Sequence, residues 1–531
     1  MSGSESDISP VPEAIVTDFL YGYPAHDVTR DFFFTVSDRF GIFPWIFLGL
    51  CVAAFTVFIV TLLARLAVWR TGLKDEKPRF EWGHVSAVLR EIVFHKRTLR
   101  EMNGIMDAAV FYGLAGLSVL YVCVLAQEYI TVPAFGVRFI TGHYYIVFTL
   151  LDDLFSMIAL AGVTAALIRR LALKPSSVVT GRNERIAFSL ALFFLVSGFV
   201  LNALRIAVSG SPDFEAWAPF SFVISKVFSS FSEDALTPVQ AAFWFLHALS
   251  GLLIAAAGAS FFFRRLTVSF LNVYACPPVC RESENKYTVI LSGDRRVTRI
   301  TDFRAKQLMD LDACTGCGRC QDACPAFLAE KPLSPKKLIN DLSRCLDEHT
   351  DKKNPKEGIV DDYVKNDGYW SCAMCGACSE SCPSMINHMQ KIIELRKSSD
   401  VVPEGFAQTL TMIEVNGTTS ESIEYKGTWY AGINGVAPLS ESGNPDIVYF
   451  AGCGVADESG RKSARAFLSL LRNAGVSVGV FGAEETCCGD TALRAGNEQL
   501  FRKLAVKNLE LFARYKVKRI ITSCPHGYNV L

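Results

Sequence analysis

The sequence predicts a multidomain chain: an N-terminal α-helical membrane bundle, a helical domain organised by two cysteine motifs, and a small C-terminal α/β layer. Three observations carry this. Half of the 531 residues are hydrophobic and only 20% are charged, a lower charge load than soluble domains carry. Fifteen of the 17 cysteines follow residue 270. From residue 446 strand-like and helix-like segments alternate. Lysine plus arginine and aspartate plus glutamate both total 53, so the formal net charge is zero. That composition excludes a disordered chain and a nucleic-acid binder working by bulk positive charge.

The polar, acidic segment 1–40 reads as extracytoplasmic. Residues 41–270 form the membrane domain. Five apolar runs, near 41–64, 107–129, 144–168, 186–208 and 239–263, each reach the ~20 residues that a spanning helix needs. The loop from Arg65 to Met106 holds nine basic residues and the loop from Arg169 to Arg185 five; 130–143 and 209–238 hold one each, Arg138 and Lys226. Basic loops stay inside. The N-terminus is therefore expected outside a bacterial-type inner membrane, with everything after Arg265 cytoplasmic. Segment 82–104 is expected as a helix on the inner surface or a solvated basic loop.

A linker, 271–311, leads to the cysteine-motif domain, 312–400. It contains Cys314-x2-Cys317-x2-Cys320-x3-Cys324-Pro325 and Cys372-x2-Cys375-x2-Cys378-x3-Cys382-Pro383. This spacing is that of two-cluster ferredoxins: three close thiolates cover one [4Fe–4S] cube and the fourth cysteine reaches the other. One cluster is expected on Cys314, Cys317, Cys320 and Cys382, the other on Cys372, Cys375, Cys378 and Cys324. A zinc site needs only four ligands and does not call for an eight-cysteine repeat. Two neighbouring clusters with no substrate pocket between them move single electrons. Cys276, Cys280 and Cys345 read as structural.

After a loop-rich linker, 401–445, the α/β layer occupies 446–531. Strands are expected at 447–450, 476–481 and 519–522, with helices at 460–474 and 495–515. Cys453, Cys487, Cys488 and Cys524 fall at strand C-terminal ends, where parallel sheets bind ligands. They are candidates for a third iron–sulfur cluster; the plain alternative is four buried core cysteines.

From about residue 40 onward the chain resembles the membrane-bound iron–sulfur oxidoreductases related to heterodisulfide reductase, and among them the electron-transfer-flavoprotein:menaquinone oxidoreductase type. The stretches that carry the resemblance are Cys314-Thr-Gly-Cys-Gly-Arg-Cys-Gln-Asp-Ala-Cys-Pro325, Lys331-Pro-Leu-Ser-Pro-Lys-Lys-Leu338, Trp370-Ser-Cys-Ala-Met-Cys375 and Gly482-Ala-Glu-Glu-Thr-Cys-Cys-Gly489. The resemblance implies a membrane domain like the gamma subunit of nitrate reductase, two [4Fe–4S] clusters and a further cluster in the CCG layer. It also implies electrons passing from a soluble donor, such as electron-transfer flavoprotein, to membrane quinone. The sequence departs from the family pattern at Gly527, where a cysteine is expected. A second CCG repeat would be expected after Leu531, so the chain reads as truncated, with a second cysteine-rich subunit as a candidate partner.

A diheme membrane domain is part of that resemblance, and axial ligation takes two histidines on facing helices. His143 and His247 are the candidates for a single b haem. Charged groups inside a span are costly and default to functional candidates. Asp152, Asp153 and Arg205 fit that description; an aspartate–arginine pair would neutralise both charges, and Asp152 is a candidate proton donor to quinone. No Walker loop and no Gly-x-Gly-x-x-Gly after a strand indicate a bound nucleotide. Two other functions fit the motifs: a thiol–disulfide reductase, and a non-catalytic electron-conducting membrane subunit.

Overall fold

The computed structural model describes residues 43–73, 82–173, 182–257, 262–276, 293, 295–350, 358–359, 362–441 and 445–531. The expected outer segment 1–40 and Cys280 lie outside the described residues. The chain divides into two compact units, one holding the membrane helices and the other most of the cysteine-rich remainder.

Among the described residues, five helices are long and apolar enough to cross a membrane: Trp45–Trp69, Gly104–Phe135, Gly142–Leu173, Arg185–Val208 and Glu233–Ala256. Hydrocarbon tails are as apolar as leucine, so helices associate here through close packing of small residues. The second and third spans follow that rule. A Cβ built on Gly113 would lie 2.6 Å from the Ala159 backbone nitrogen, and one on Gly162 would lie 2.8 Å from that of Val110. Ala159, Val163 and Ala166 then pack with Phe188 and Leu195 of the fourth span. Phe47 meets Trp244 edge-on, tying the first span to the fifth.

Segment 82–104 breaks into a short helix Trp82–Val88, a wide turn Leu89–Val93 and a tight turn Thr98–Arg100 rather than one continuous helix. The loop 209–238 is more ordered than its sequence suggests. It folds into a turn at Asp213–Trp217 and a helix at Pro219–Ser225, for a reason given below.

The second unit begins with short helices around the cysteine motifs, flanked by Ala305–Asp312, Pro335–Thr350 and His388–Ser398. A helix, Glu404–Asn416, occupies what the sequence presents as a loop-rich linker. Next comes a four-stranded parallel sheet: β1 Ala437–Pro438, β2 Ile447–Tyr449, β3 Val478–Val480 and β4 Ile520–Ile521, in the order β1-β3-β2-β4. Val448 pairs with Gly479 on one side and Ile520 on the other. Successive side chains alternate faces. Tyr449 and Val480 therefore pack with Ala464 and Leu468 of helix Glu458–Asn473, while Val448 and Phe450 pack with Leu511 of helix Glu498–Arg514. Strand β1 had no sequence signal, because an Ala-Pro pair carries no alternation.

Candidate iron–sulfur centres

The two cysteine motifs fold alike. Gly318 (φ +87°) and Gly376 (φ +79°) sit in the left-handed region at the start of helices Arg319–Asp322 and Ala377–Glu380. Two residues earlier, Gly316 and Met374 are also left-handed, at φ +68° and +53°. Left-handed backbone disfavours a side chain, so Met374 holds by context what Gly316 holds by freedom. These turns aim backbone N–H groups at sulfur: the Met374 amide donates to Cys372 Sγ at 3.3 Å. The two short helices pack on each other.

Cys324 leaves its own motif. It is buried in a small cluster with Ala326 and Leu333, against Cys372. The thiol of Cys378 is pushed up, first by burial and then by the neighbouring charges of Cys372, Cys324 and Cys375. Cys324 thus lies beside Cys372 and within electrostatic reach of Cys378. Cys382, at the other end of its motif, lies close enough to Lys391 to affect its titration. Lys391 is buried and contacts Asp310 at 2.5 Å, and Lys306 contacts the same carboxylate at 2.6 Å. Burial opposes the charge on Asp310, but the two ammonium groups win and hold it at about 2.

In the α/β layer, Cys453 lies in the turn after β2, Cys487 and Cys488 in the loop after β3, and Cys524 after β4. Cys453 and Cys487 approach to 3.6 Å between sulfurs. Cys487 also hydrogen-bonds Cys488, and Cys524 feels the charges of Cys488 and Cys453. The hydrogen bond from Cys487 pushes Cys453 down to about 6, while Cys487 itself is pushed up. Asn508 fixes the loop by donating to the Cys487 carbonyl at 3.0 Å. Four thiol side chains therefore converge without a cysteine at Gly527. Among the described residues no three His, Cys, Asp or Glu side chains close around a single metal ion. A four-iron cube, with its own sulfides inside, holds its thiolates on separate corners and needs no such closure.

Several residues at this layer escaped sequence reasoning. The buried Glu485 carboxylate accepts from the Ala451 and Gly452 amides at 3.2 and 2.5 Å. Burial raises it to about 8 against those two bonds. Lys426 donates to the carbonyls of Asn416, Gly417 and Glu485. With Tyr425, Trp429 and Cys487 they line a small cavity of about 10 Å³. Nothing local in Glu484-Glu485 distinguishes the buried carboxylate from its neighbour.

In the membrane unit the expected aspartate–arginine pair does not form. Arg205 makes a bidentate contact with Glu215 at 2.6 and 2.7 Å, and Tyr145 donates to the same carboxylate at 2.6 Å. Asp153 instead accepts from the Phe220 amide at 2.7 Å and from the Ser221 hydroxyl at 2.6 Å, capping the helix Pro219–Ser225. The loop 209–238 folds back because these two charges each find a partner in it. Asp152 is half-buried one residue earlier.

The two candidate haem histidines sit at different levels of their helices. His143 is exposed in the first turn of its helix. His247 lies in the middle of the helix Glu233–Ala257; at 1.5 Å per residue that is roughly 20 Å along from its start. Its Nδ1 meets Ser197 Oγ and the Phe194 carbonyl, both at 3.1 Å, and its ring stacks on Phe194 at 4.3 Å.

Among the described residues, five helices long and apolar enough to cross a membrane and two kinds of thiol cluster lie on one chain. Residues 306–383 match the 4Fe-4S dicluster domain and 447–531 the cysteine-rich CCG domain. The chain is 31% identical to EtfAB:quinone oxidoreductase of Syntrophomonas wolfei, over 73% of this chain and 61% of that protein's length. It is 27% identical to the probable iron-sulfur-binding oxidoreductase FadF of Bacillus subtilis, over 91% and 75%. It is 29% identical to one subunit of the dihydromethanophenazine:CoB–CoM heterodisulfide reductase of Methanosarcina mazei, over 42% and 57%. The chain is thus similar to iron–sulfur oxidoreductases, a heterodisulfide reductase subunit among them, and spans about 61% of the length of the Syntrophomonas relative. No solved structure matches it.

Proposed function

We propose that the chain takes single electrons from a soluble cytoplasmic donor and delivers them to membrane quinone. The observation that carries this is Cys324 seated with Cys372, Cys375 and Cys378, because crossed ligation holds two redox centres side by side in a chain that also spans the bilayer. Cys314, Cys317, Cys320 and Cys382 hold one cluster; Cys372, Cys375, Cys378 and Cys324 hold the second; Cys453, Cys487, Cys488 and Cys524 hold a third. Bound there, [4Fe–4S] clusters supply one-electron carriage at potentials set by hydrogen bonds and burial. The chain's own residues present amide and ammonium groups to those sulfurs and exclude water from Cys324, Cys378 and Cys382, which are buried.

The basic loops support an orientation with the N-terminus outside and the cysteine domains cytoplasmic. The printed name of the Syntrophomonas relative supports electron-transfer flavoprotein as the donor and quinone as the acceptor. Reduction of quinone to quinol consumes two electrons and two protons, and Asp152 is the candidate to relay a proton. Haem has no part in this reading. The test is purified full-length chain reconstituted with iron and sulfide and supplied with reduced flavoprotein. Stoichiometric reduction of a menaquinone analogue is expected. A chain that loads its clusters and accepts electrons but leaves the quinone oxidised refutes the proposal.

The close approach of Cys453 and Cys487, 3.6 Å between sulfurs, supports a second reading, reduction of a disulfide at the CCG thiolates. The adjoining cavity holds only about 10 Å³, far under the ~300–1,000 Å³ of ordinary small-molecule sites, so a disulfide would have to open it to enter. Turnover of such a substrate by the reduced chain, with quinone left untouched, would establish that reading instead.

A further inference from the structure

Two arginines that no sequence motif marked join the CCG layer to the second cysteine motif. Arg494 ends the short helix Asp490–Arg494, which directly follows Cys487-Cys488-Gly489. Its guanidinium donates to Asp490 Oδ2 at 2.5 Å and to the Met374 carbonyl at 2.6 Å. Met374 lies between Cys372 and Cys375. At the other end of the bridge, the Asp490 backbone N–H donates to the Cys488 sulfur. One planar fork thus spans from the loop of one thiol cluster to the helix that starts at the other.

Arg396 returns the contact. It is 2% exposed. Its Nη1 donates to the Arg494 carbonyl at 2.9 Å, and its Nη2 donates to the carbonyls of Cys372 at 2.7 Å and Tyr369 at 3.0 Å. The guanidinium sits 4.9 Å from the Trp370 ring centre. Each arginine therefore binds backbone of the other's cysteine segment, or of the other arginine itself. The seam between them is closed to side chains. Gly496 is left-handed at φ +84°, and a Cβ there would lie 2.5 Å from the Lys397 nitrogen and 2.8 Å from its Cα. Lys397 meets Glu498 across the same seam at 3.1 Å, both side chains under a tenth exposed.

We propose that Arg494 and Arg396 are positioning residues of an electron relay. They lock the four CCG thiols onto the second cysteine motif, so that the CCG centre exchanges electrons with the centre at Cys372, Cys375, Cys378 and Cys324 and not directly with the one at Cys314. The assignment rests on reading both thiol clusters as iron–sulfur ligands. In each transfer one electron leaves one centre, which is oxidised by one, and enters the other, which is reduced by one. No proton moves and no bond breaks; the electron originates from the reduced soluble donor of the proposed function. A guanidinium fits this role because its fork binds two acceptors in fixed geometry, whereas an ammonium acts as a point charge.

The test uses the full chain, reconstituted with iron and sulfide, in wild-type form and as Arg494→Gln, Arg494→Lys and Gly496→Val. Electron paramagnetic resonance during a redox titration reads the midpoint of each centre and the spin–spin broadening between them. Arg494→Gln is expected to shift the second-motif midpoint to lower potential and to abolish its broadening by the CCG centre. Arg494→Lys keeps the charge and should hold the midpoint near wild type while losing the broadening. Gly496→Val should lose the broadening with the midpoint unmoved, and the first-motif centre should stay unchanged in all three. An Arg494→Gln chain of wild-type iron content with an unshifted second-motif midpoint, or with the first-motif midpoint shifted instead, overturns the proposal. If the chain loads about eight irons and not about twelve, the CCG ligand reading fails by itself, and the midpoint comparison still decides whether Arg494 acts on the second motif. If Arg494→Gln loses iron, Arg494→Lys and Gly496→Val carry the same decision through the broadening where the CCG centre is loaded, and otherwise through the second-motif midpoint of Arg494→Lys, which an unaltered wild-type value supports and a shift overturns.

Discussion

Replacing Cys324 by serine is the sharpest probe of the ligand set. The residue belongs by sequence to the first motif but sits in space with the second, packed on Cys372 and within electrostatic reach of Cys378. Crossed ligation predicts that Cys324→Ser removes the centre at 372, 375 and 378 and spares the one at 314, 317 and 320. Each lost cube takes about four irons of about eight held by the two motifs. The decisive form is a double-mutant comparison, because changes at one shared centre overlap whereas changes at independent centres add. Cys324→Ser with Cys375→Ser should lose no more iron than either alone, about four atoms. Cys324→Ser with Cys317→Ser should lose about eight. The assay is iron and sulfide quantitation with paramagnetic resonance on purified chain, using Cys382→Ser as the mirror case. If Cys324→Ser and Cys317→Ser overlap while Cys324→Ser and Cys375→Ser add, each motif ligates its own cube and the crossed reading is wrong.

The membrane unit and the ferredoxin core offer three further tests. Arg205→Met takes the guanidinium from the buried Glu215 carboxylate; removal of one partner from a buried pair costs about 3–5 kcal/mol, so the variant should lower the midpoint of thermal unfolding in detergent, and Arg205→Met with Glu215→Leu should recover much of it. Gly113→Val drives side-chain carbons into the Ala159 backbone; overpacking of this kind costs roughly 1–3 kcal/mol, and the same substitution at Gly49, where a Cβ meets nothing within 4 Å, should be near neutral in the same melt. Asp310 is held at about 2 in the fold against an ordinary value of 3.8. A folded value below the unfolded one gives stability that is full above the unfolded value and is lost as pH falls toward the folded one. The shift is worth about 2 kcal/mol, so wild type should lose that much more stability than Asp310→Asn between pH 5 and pH 2; equal acid sensitivity of the two chains would refute it.

How much of this was legible depends on whether a feature is written locally. Cysteine spacing is local, and the turn that the motif demands is written into Gly316, Gly318 and Gly376, all left-handed in the fold. Apolar runs are local as well, so all five spans were found, with ends displaced by several residues where polar flanks continue as helix. Strand alternation found β2, β3 and β4 but not β1, whose two residues are held by pairing with β3 and not by their own pattern. The partner of a buried charge is a different kind of fact. Arg205 in the span gives no indication of whether Asp153 or Glu215 will reach it; ten residues of chain that fold back decide this, because Asp153 caps the helix that positions that loop.

The same distinction separates what holds a cluster from what connects two of them. Ligands repeat at fixed spacing because one cube imposes one geometry on one stretch of chain. A connection between centres is made by whichever side chains the packed domains bring together: Arg494 lies 120 residues from Met374, and Arg396 lies 98 from Arg494. No periodicity can mark such a residue. What marks it in the fold is cost: a buried guanidinium is tolerated only where its donors are matched, and Arg396, pushed down to about 10 by burial, spends those donors on the Cys372 carbonyl and on the backbone of the facing arginine. A chain that needed this helix only for stability could fill the seam with apolar side chains at no such expense, since a buried charge is often replaced by hydrophobic residues without loss. Retaining two guanidinium groups between two thiol clusters is therefore better explained by the field and fixed spacing they provide than by the stability they add, and the contrast between Arg494→Gln and Arg494→Lys separates those two contributions.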